Sequence, residues 1–195
     1  MTVIRVNPAS IQQYGGIAQE KFTAIRTELE RLVTECAEVH YFGPNAVQFK
    51  THCGQLAAEF ASQAVQKMGA IADVVRTATS NITASLGGTA IVISIDGSSV
   101  PVPSVAAVDY VDVDTSALEG LLPKVAASFT NIDQFFDEHL QALVSTDWLG
   151  NAKDETVSAV RGFTGSAKSV SADSRQKITT LLQTQIEAVV QADRT

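Results

Sequence analysis

The chain is poor in the residues from which active sites, metal centres and membrane spans are built. In 195 residues it has two cysteines, one tryptophan, three histidines and five prolines. No apolar run approaches the ~18 residues of a membrane span. The opening stretch MTVIRVNPAS has no apolar core of the kind that marks a Sec-type signal peptide. There is no G-x-S-x-G, no phosphate-cradling glycine loop and no H-E-x-x-H. Carboxylates are not paired beside an apolar cleft, so neither an enzyme nor a cofactor is expected. Positive charge is also scarce, with 14 Lys and Arg against 21 Asp and Glu. A net charge of -7 argues against nucleic acid as partner, which needs a basic face. The polar faces carry no Lys/Arg stripe, which disfavours a membrane-active bundle.

What the chain does have is apolar content of 45%, normal for a folded protein, arranged in long helical periods. The charge is uneven: residues 1–88 are balanced, and the acidic excess lies in residues 89–195. Ala18, Phe22, Ile25, Leu29, Leu32, Cys36 and Val39 alternate spacings of four and three, the seam of a helix packed along another helix. Asn7 before Pro8, or Ser10 with Gln13, supplies its start, which predicts a helix over about 9–39. His40 to Asn45 then breaks the period around Gly43-Pro44. Phe49, Cys53, Leu56, Phe60, Ala64, Met68, Ile71, Val75, Ala78 and Ile82 carry a second helix to Leu86, where Gly87-Gly88 ends it. A helix of that length needs an extended partner.

The second half follows the same plan. Ser116 with Glu119 reads as a capping box. Leu118, Leu122, Val125, Phe129, Ile132, Phe136, His139 and Leu143 form a seam, with Pro123 close enough to the start to shift it by a few residues. Trp148-Leu149-Gly150 breaks that helix, and Asn151 with Asp154 starts another. Val157, Val160, Phe163, Ala167, Val170, Ile178, Leu181, Gln185 and Val189 carry it to about 193, across a polar stretch from Ser166 to Lys177. Each half is thus a shorter helix, a tight aromatic-x-Gly turn and a longer helix, an internal repeat of architecture with little residue identity. The expectation is an all-α fold of two long helical hairpins packed as an antiparallel four-helix bundle. It divides into hairpins at 1–88 and 116–195, with a linker at 89–115.

Tyr41-Phe42-Gly43 and Trp148-Leu149-Gly150, each between two long amphipathic helices, resemble the turn of the WXG family of type VII secretion, the early-secreted-antigen-like proteins. Members of that family are helical hairpins that dimerise into four-helix bundles, and this chain looks like two of them fused. The second unit has the family's Trp-x-Gly. The first has Tyr41 in place of Trp, and Phe49 where the family commonly has an aromatic; the second unit has Thr156, beside Val157, at that place. The resemblance implies a non-catalytic secretion substrate or partner protein, exported without a Sec signal, whose turn and tail are read by the secretion machinery or a co-secreted protein. It also implies a monomer, with the dimer contained in one chain. Tyr110 and Asp114 are similar to the family's Tyr-x-x-x-Asp/Glu export signal, although they lie in the central linker rather than past a terminal helix. A solvated, acidic strand edge is the competing reading of that pair. Trp148, at the end of a bundle, is expected to be only partly buried and open to a partner.

Within the linker, Ile91 to Ile95 and Val100 to Pro103 flank Asp96-Gly97 and read as a short β-hairpin leaning on the bundle. Its 27 residues, 89 to 115, favour the antiparallel arrangement, since a parallel one needs only a few. Cys36 and Cys53 occupy seam positions level across the first turn. They are either two buried thiols or, in an oxidising space, a disulfide. A metal site with His40 and His52 is disfavoured, because His52 and Cys53 diverge by about 100° on a helix. His139 reads as a satisfied core histidine. Gly54, Gly69, Gly162 and Gly165 read as points of close helix approach. The functional alternatives are a cytosolic adaptor or chaperone for a larger secreted effector, and a membrane-active bundle.

Overall fold

The computed structural model describes residues 4–194 of an all-α chain with four long helices. In order they are β1 (Arg5–Val6), α1 (Pro8–Glu38), β2 (Tyr41–Phe42), α2 (Pro44–Leu86), β3 (Asp112–Val113), α3 (Thr115–Val144), β4 (Trp148–Leu149) and α4 (Asn151–Asp193). The repeat is one of length as well as order. The helices have 31 and 43 residues in the first hairpin, and 30 and 43 in the second.

The contacts do not follow the hairpins. They group the chain into two units, and each unit draws on all four helices. The first, here the Trp148 unit, takes Met1–Arg26, Ala64–Gly97 and Ile132–Ser169; the second, the Tyr41 unit, takes Thr27–Gln63, Ser98–Asn131 and Val170–Thr195. In the Trp148 unit β1 pairs antiparallel with β4, which puts the start of the first hairpin at the turn of the second. In the Tyr41 unit β2 pairs antiparallel with β3, which puts the start of the second hairpin at the turn of the first. That is the antiparallel bundle the linker length called for.

Local signals start the helices, with one correction. Asn7 Oδ1 accepts from the N–H groups of Ala9 and Ser10, with Pro8 as the first helical residue. At α3 the cap is Asp114, whose Oδ1 accepts from Ser116 at 2.9 Å and Ala117 at 3.2 Å, not Ser116 itself. Pro123 lies inside α3 and does not move its start. The first seam is buried throughout, from Ala18 to Val39. In α3 it is Leu121 rather than Leu122 that is buried, and in α4 the seam differs more. Its interior side chains are Thr156, Val160, Thr164, Ala167, Ser171, Ser174, Ile178 and Leu182, while Phe163, Val170 and Leu181 are half-buried.

The linker forms no hairpin: residues 89–111 contain no strand. Side chains of α1 and α2 take its backbone groups instead. Gln19 holds Ser94 at both ends, its Nε2 donating to the carbonyl at 3.1 Å and its Oε1 accepting from the N–H at 2.8 Å. Gln12 donates to the Thr89 carbonyl, Arg26 pairs with Asp96, and the Ile91 N–H donates to Thr79 Oγ1. Gln12, Gln19 and Arg26 lie one heptad apart on α1, so one helical stripe satisfies the extended chain. Ile91, Ile93 and Val100 are buried. Of the four glycines expected at helix contacts, only Gly54 is tight, and against the linker: an added Cβ would meet Val102 at 2.7 Å. A Cβ at Gly69, Gly162 or Gly165 would meet nothing within 4 Å.

His139 is buried in the Trp148 unit, and only half of it is satisfied. Nδ1–H donates to the Phe136 carbonyl at 3.1 Å, while Nε2 has no partner. Its ring faces Phe22 at 4.9 Å and Tyr14 at 6.2 Å, and the buried Tyr14 hydroxyl is also unpartnered. Burial pulls the imidazole down from 6.5 to about 4. The unfolded chain therefore takes a proton near pH 6.5 that the folded chain refuses until about pH 4. Stability is expected to hold above pH 6.5 and to fall by up to about 3 kcal/mol between there and pH 4. Urea midpoints across that range should flatten in His139→Leu; an unchanged slope would place the acid sensitivity elsewhere.

Candidate functional site

The two hairpin turns are built by the same hydrogen bonds at a constant offset along the chain. The Tyr41 N–H donates to the Val39 carbonyl, and the Trp148 N–H to that of Thr146. Gly43 at φ 130° and Gly150 at φ 127° hold a backbone conformation that side chains with a Cβ rarely adopt. Their carbonyls then begin the long helices, Gly43 accepting from Ala46 and Val47, and Gly150 from Lys153 and Asp154. The entering strand clasps each turn. Val113 faces Tyr41 and Asp112 faces Phe42, as Val6 faces Trp148 and Arg5 faces Leu149. The Asp114 N–H donates to the His40 carbonyl, and the Asn7 N–H to that of Asp147. Side-chain contacts brace both clasps: Arg5 pairs with Asp147 at 2.9 Å, and His40 Nε2 lies 3.3 Å from Asp112 Oδ2. Lys153 closes the end of α3 by donating to the Val144 and Thr146 carbonyls.

The side chains on this common frame differ. The Tyr41 ring is buried against Phe49, with centroids 6.0 Å apart. Its hydroxyl accepts from Gln185 Nε2 at 2.9 Å, and burial raises its pKa. Phe42 lies under the Lys50 ammonium, 4.6 Å from the ring centroid, with His40 edge-on at 5.0 Å. Burial pulls the Lys50 ammonium below its ordinary pKa, against the charge of Glu38. At the other turn, Thr156 stands where Phe49 does, and bonds its own helix through the Ala152 carbonyl. Ala78 stands where Gln185 does.

Trp148 is not partly exposed as its position at a turn implied. It keeps 2% of its surface, with Val6 of β1 paired to it and the last turns of α2 lining the groove beside it. Leu149, at 48%, is the residue of the motif that faces outward. It opens on a groove of about 730 Å³ whose apolar walls are Ile4, Val74, Ala78, Ile82, Leu86 and Leu149. The corresponding groove beside Tyr41 is about 480 Å³ and more polar, with Asn45, Gln185 and Asp193 on its walls.

The remaining candidates fall apart or together as follows. Tyr110 is exposed, its ring 6.3 Å from that of Phe42, while Asp114 is occupied as the cap of α3. The two share no helix face. Cys36 and Cys53 are buried, unbridged and in thiol contact. Their hydrogen bond, and then burial, hold the Cys53 thiol far above its ordinary pKa. Among the described residues, no three His, Cys, Asp or Glu side chains converge as metal ligands, and no helix is long and apolar enough to cross a membrane.

Comparison with known protein families, curated proteins and solved structures finds no match to this chain.

Two outcomes test this geometry. Diamide treatment of the native protein should give an intramolecular Cys36–Cys53 disulfide, seen by non-reducing peptide mapping, and slowly, because both thiols are buried and the Cys53 thiol is held far above its ordinary pKa. Two free thiols after exhaustive oxidation would contradict the contact. Trp148→Ala should cost about 3–5 kcal/mol in urea unfolding, as buried aromatics do. Leu149→Ala should stay within about 0.5 kcal/mol, and the reverse order would show that Trp148 is not the buried member.

Proposed function

We propose that this chain is a non-catalytic protein-interaction module of type VII secretion, a substrate or partner protein of WXG character. In this reading one chain carries what a dimer of two hairpins carries elsewhere. The supporting observation is the doubled turn. Tyr41-Phe42-Gly43 and Trp148-Leu149-Gly150 have the same hydrogen bonds and the same glycine conformation, and each is clasped by the strand that leads into the other hairpin. An αα-hairpin needs an apolar partner for its seam, and here the second hairpin supplies it, so the protein acts as a monomer. Recognition runs through helix packing and the exposed face of a turn, with the export machinery or a co-secreted protein as partner. Tyr110 is available for such recognition; Asp114 is engaged by α3.

The second reading is an adaptor that stays in the cell and docks a larger secreted effector. The open groove beside Leu149 favours it, since an adaptor needs a docking face. One experiment separates the two. Culture filtrate and lysate are blotted from cells with and without the secretion ATPase. Export is expected to place the chain in the filtrate of the complete strain only. Retention in the lysate of both strains would overturn the secretion reading in favour of the adaptor.

A further inference from the structure

The repeated frame puts corresponding residues at the two turns, and the two turns are not equivalent. Where the Tyr41 turn has Phe49, Asn45, Gln185 and Asp193, the Trp148 turn has Thr156, Ala152, Ala78 and Leu86. Each change at the Trp148 end removes bulk or polarity. Phe49 packs on the Tyr41 ring and Gln185 bonds its hydroxyl, so that ring is held by its own chain. Thr156 bonds back to its own helix, and Ala78 reaches nothing comparable. The larger groove is what those smaller residues leave open.

Its shape indicates what fits. Asp73, Val74, Thr77, Ala78, Asn81, Ile82, Ser85 and Leu86 form its α2 wall, a stripe recurring every four residues. From Asp73 to Leu86 that wall runs about 20 Å at 1.5 Å per residue, the length of three to four turns of a second helix. The opposite wall offers Ile4 and Leu149, 67% and 48% exposed. Among the described residues the charge on the walls has one sign: Asp73 and Glu155 line the groove, and no Lys or Arg does. Arg76 compensates Asp73 at 3.0 Å, and Lys153 is spent on two carbonyls. Glu155 is exposed and in no ion pair among the described residues. A second copy, with net charge -7, is disfavoured at an acidic rim, and so is an anionic lipid surface.

We propose that the groove beside Trp148 and Leu149 is a docking site for an amphipathic α-helix of another protein, apolar on one face and flanked by Lys or Arg. It receives that helix lengthwise along the end of α2, with the basic flank toward Glu155, while the Tyr41 end binds none. This holds for an exported or a retained chain.

Trp148 is the only tryptophan, so its emission reports on the groove directly. The probe is a synthetic Leu/Lys helix of about 14 residues, compared with the same peptide carrying Glu for Lys. The Lys peptide should shift the emission saturably and bind at least roughly ten-fold more tightly, an advantage that salt reduces. Glu155→Lys should reverse the preference. Ala78→Gln, which copies the closed end, should weaken binding at least about ten-fold with an unchanged helical spectrum. Leu149→Asp, at an exposed site, serves the same purpose should Ala78→Gln misfold. Equal affinity for the two peptides, or undiminished binding by both groove variants, would overturn the proposal. So would a dimer in light scattering that Leu149→Asp dissociates, or binding to anionic vesicles that the Lys peptide does not displace.

Discussion

Everything in this fold depends on two clasps, each a pair of residues long. A two-residue antiparallel pairing is worth little alone. Here each one joins the entry of one hairpin to the turn of the other, so it sets the register of long helices that could otherwise slide by a heptad and keep their seams apolar. Asn7 and Asp114 make the coupling tight. Each caps a helix with its side chain while its backbone N–H bonds the opposite turn, so helix start and hairpin register are decided by one residue. This is why Asp114 displaces Ser116 as the cap. Both satisfy the local pattern, but only Asp114 also meets the His40 carbonyl.

The helices and their turns were legible because their signal is local and periodic. The seam from Ala18 to Val39 lies in the core, and the boundaries at Pro8, Pro44 and Asn151 follow Asn or Gly as helix chemistry requires. The errors share a cause: the deciding partner is distant in sequence. Trp148 looked exposed because its pairing partner, Val6, lies far away in sequence. The alternation from Ile91 to Ile95 does indicate extended chain. Period two cannot say what the chain pairs with, and here it is the stripe Gln12, Gln19 and Arg26. That stripe is visible in the sequence as polar residues at heptad spacing on a helix otherwise read for its apolar face.

Helix α4 shows a different limit. Its interior between Thr156 and Ser174 is built from Thr, Val, Ala and Ser, which a hydropathy pattern reads as a solvated face. Thr156 enters the core because its hydroxyl bonds the Ala152 carbonyl, 2.7 Å away, leaving a methyl group to pack. Thr79 does the same at Val75 and also receives the Ile91 N–H. The 3-4 spacing of small residues was therefore the usable signal, since small residues let backbones approach. Thr164 and Ser171 in the same row, like His139 Nε2 and Tyr14 OH, are buried without partners. Each costs free energy that an apolar side chain would not.

A doubled architecture removes one constraint that a symmetric dimer obeys. In a homodimer both turns must carry the same residues, so both ends are open or both are closed. Once the two hairpins share a chain, each position is encoded twice and the copies can diverge while the clasps keep the frame. The divergence here is concentrated at the turns. Gly43 and Gly150 are retained, since the backbone there tolerates little else, and the residues around the rings are not. Tyr41 has a hydrogen bond from Gln185 and a ring contact with Phe49, and Trp148 is buried beside an apolar groove. A turn with its ring satisfied internally contributes stability, and the turn with exposed Ile4, Leu86 and Leu149 is the one proposed above for association. The two roles compete for the same positions in a symmetric assembly, and a fused chain can assign one to each end.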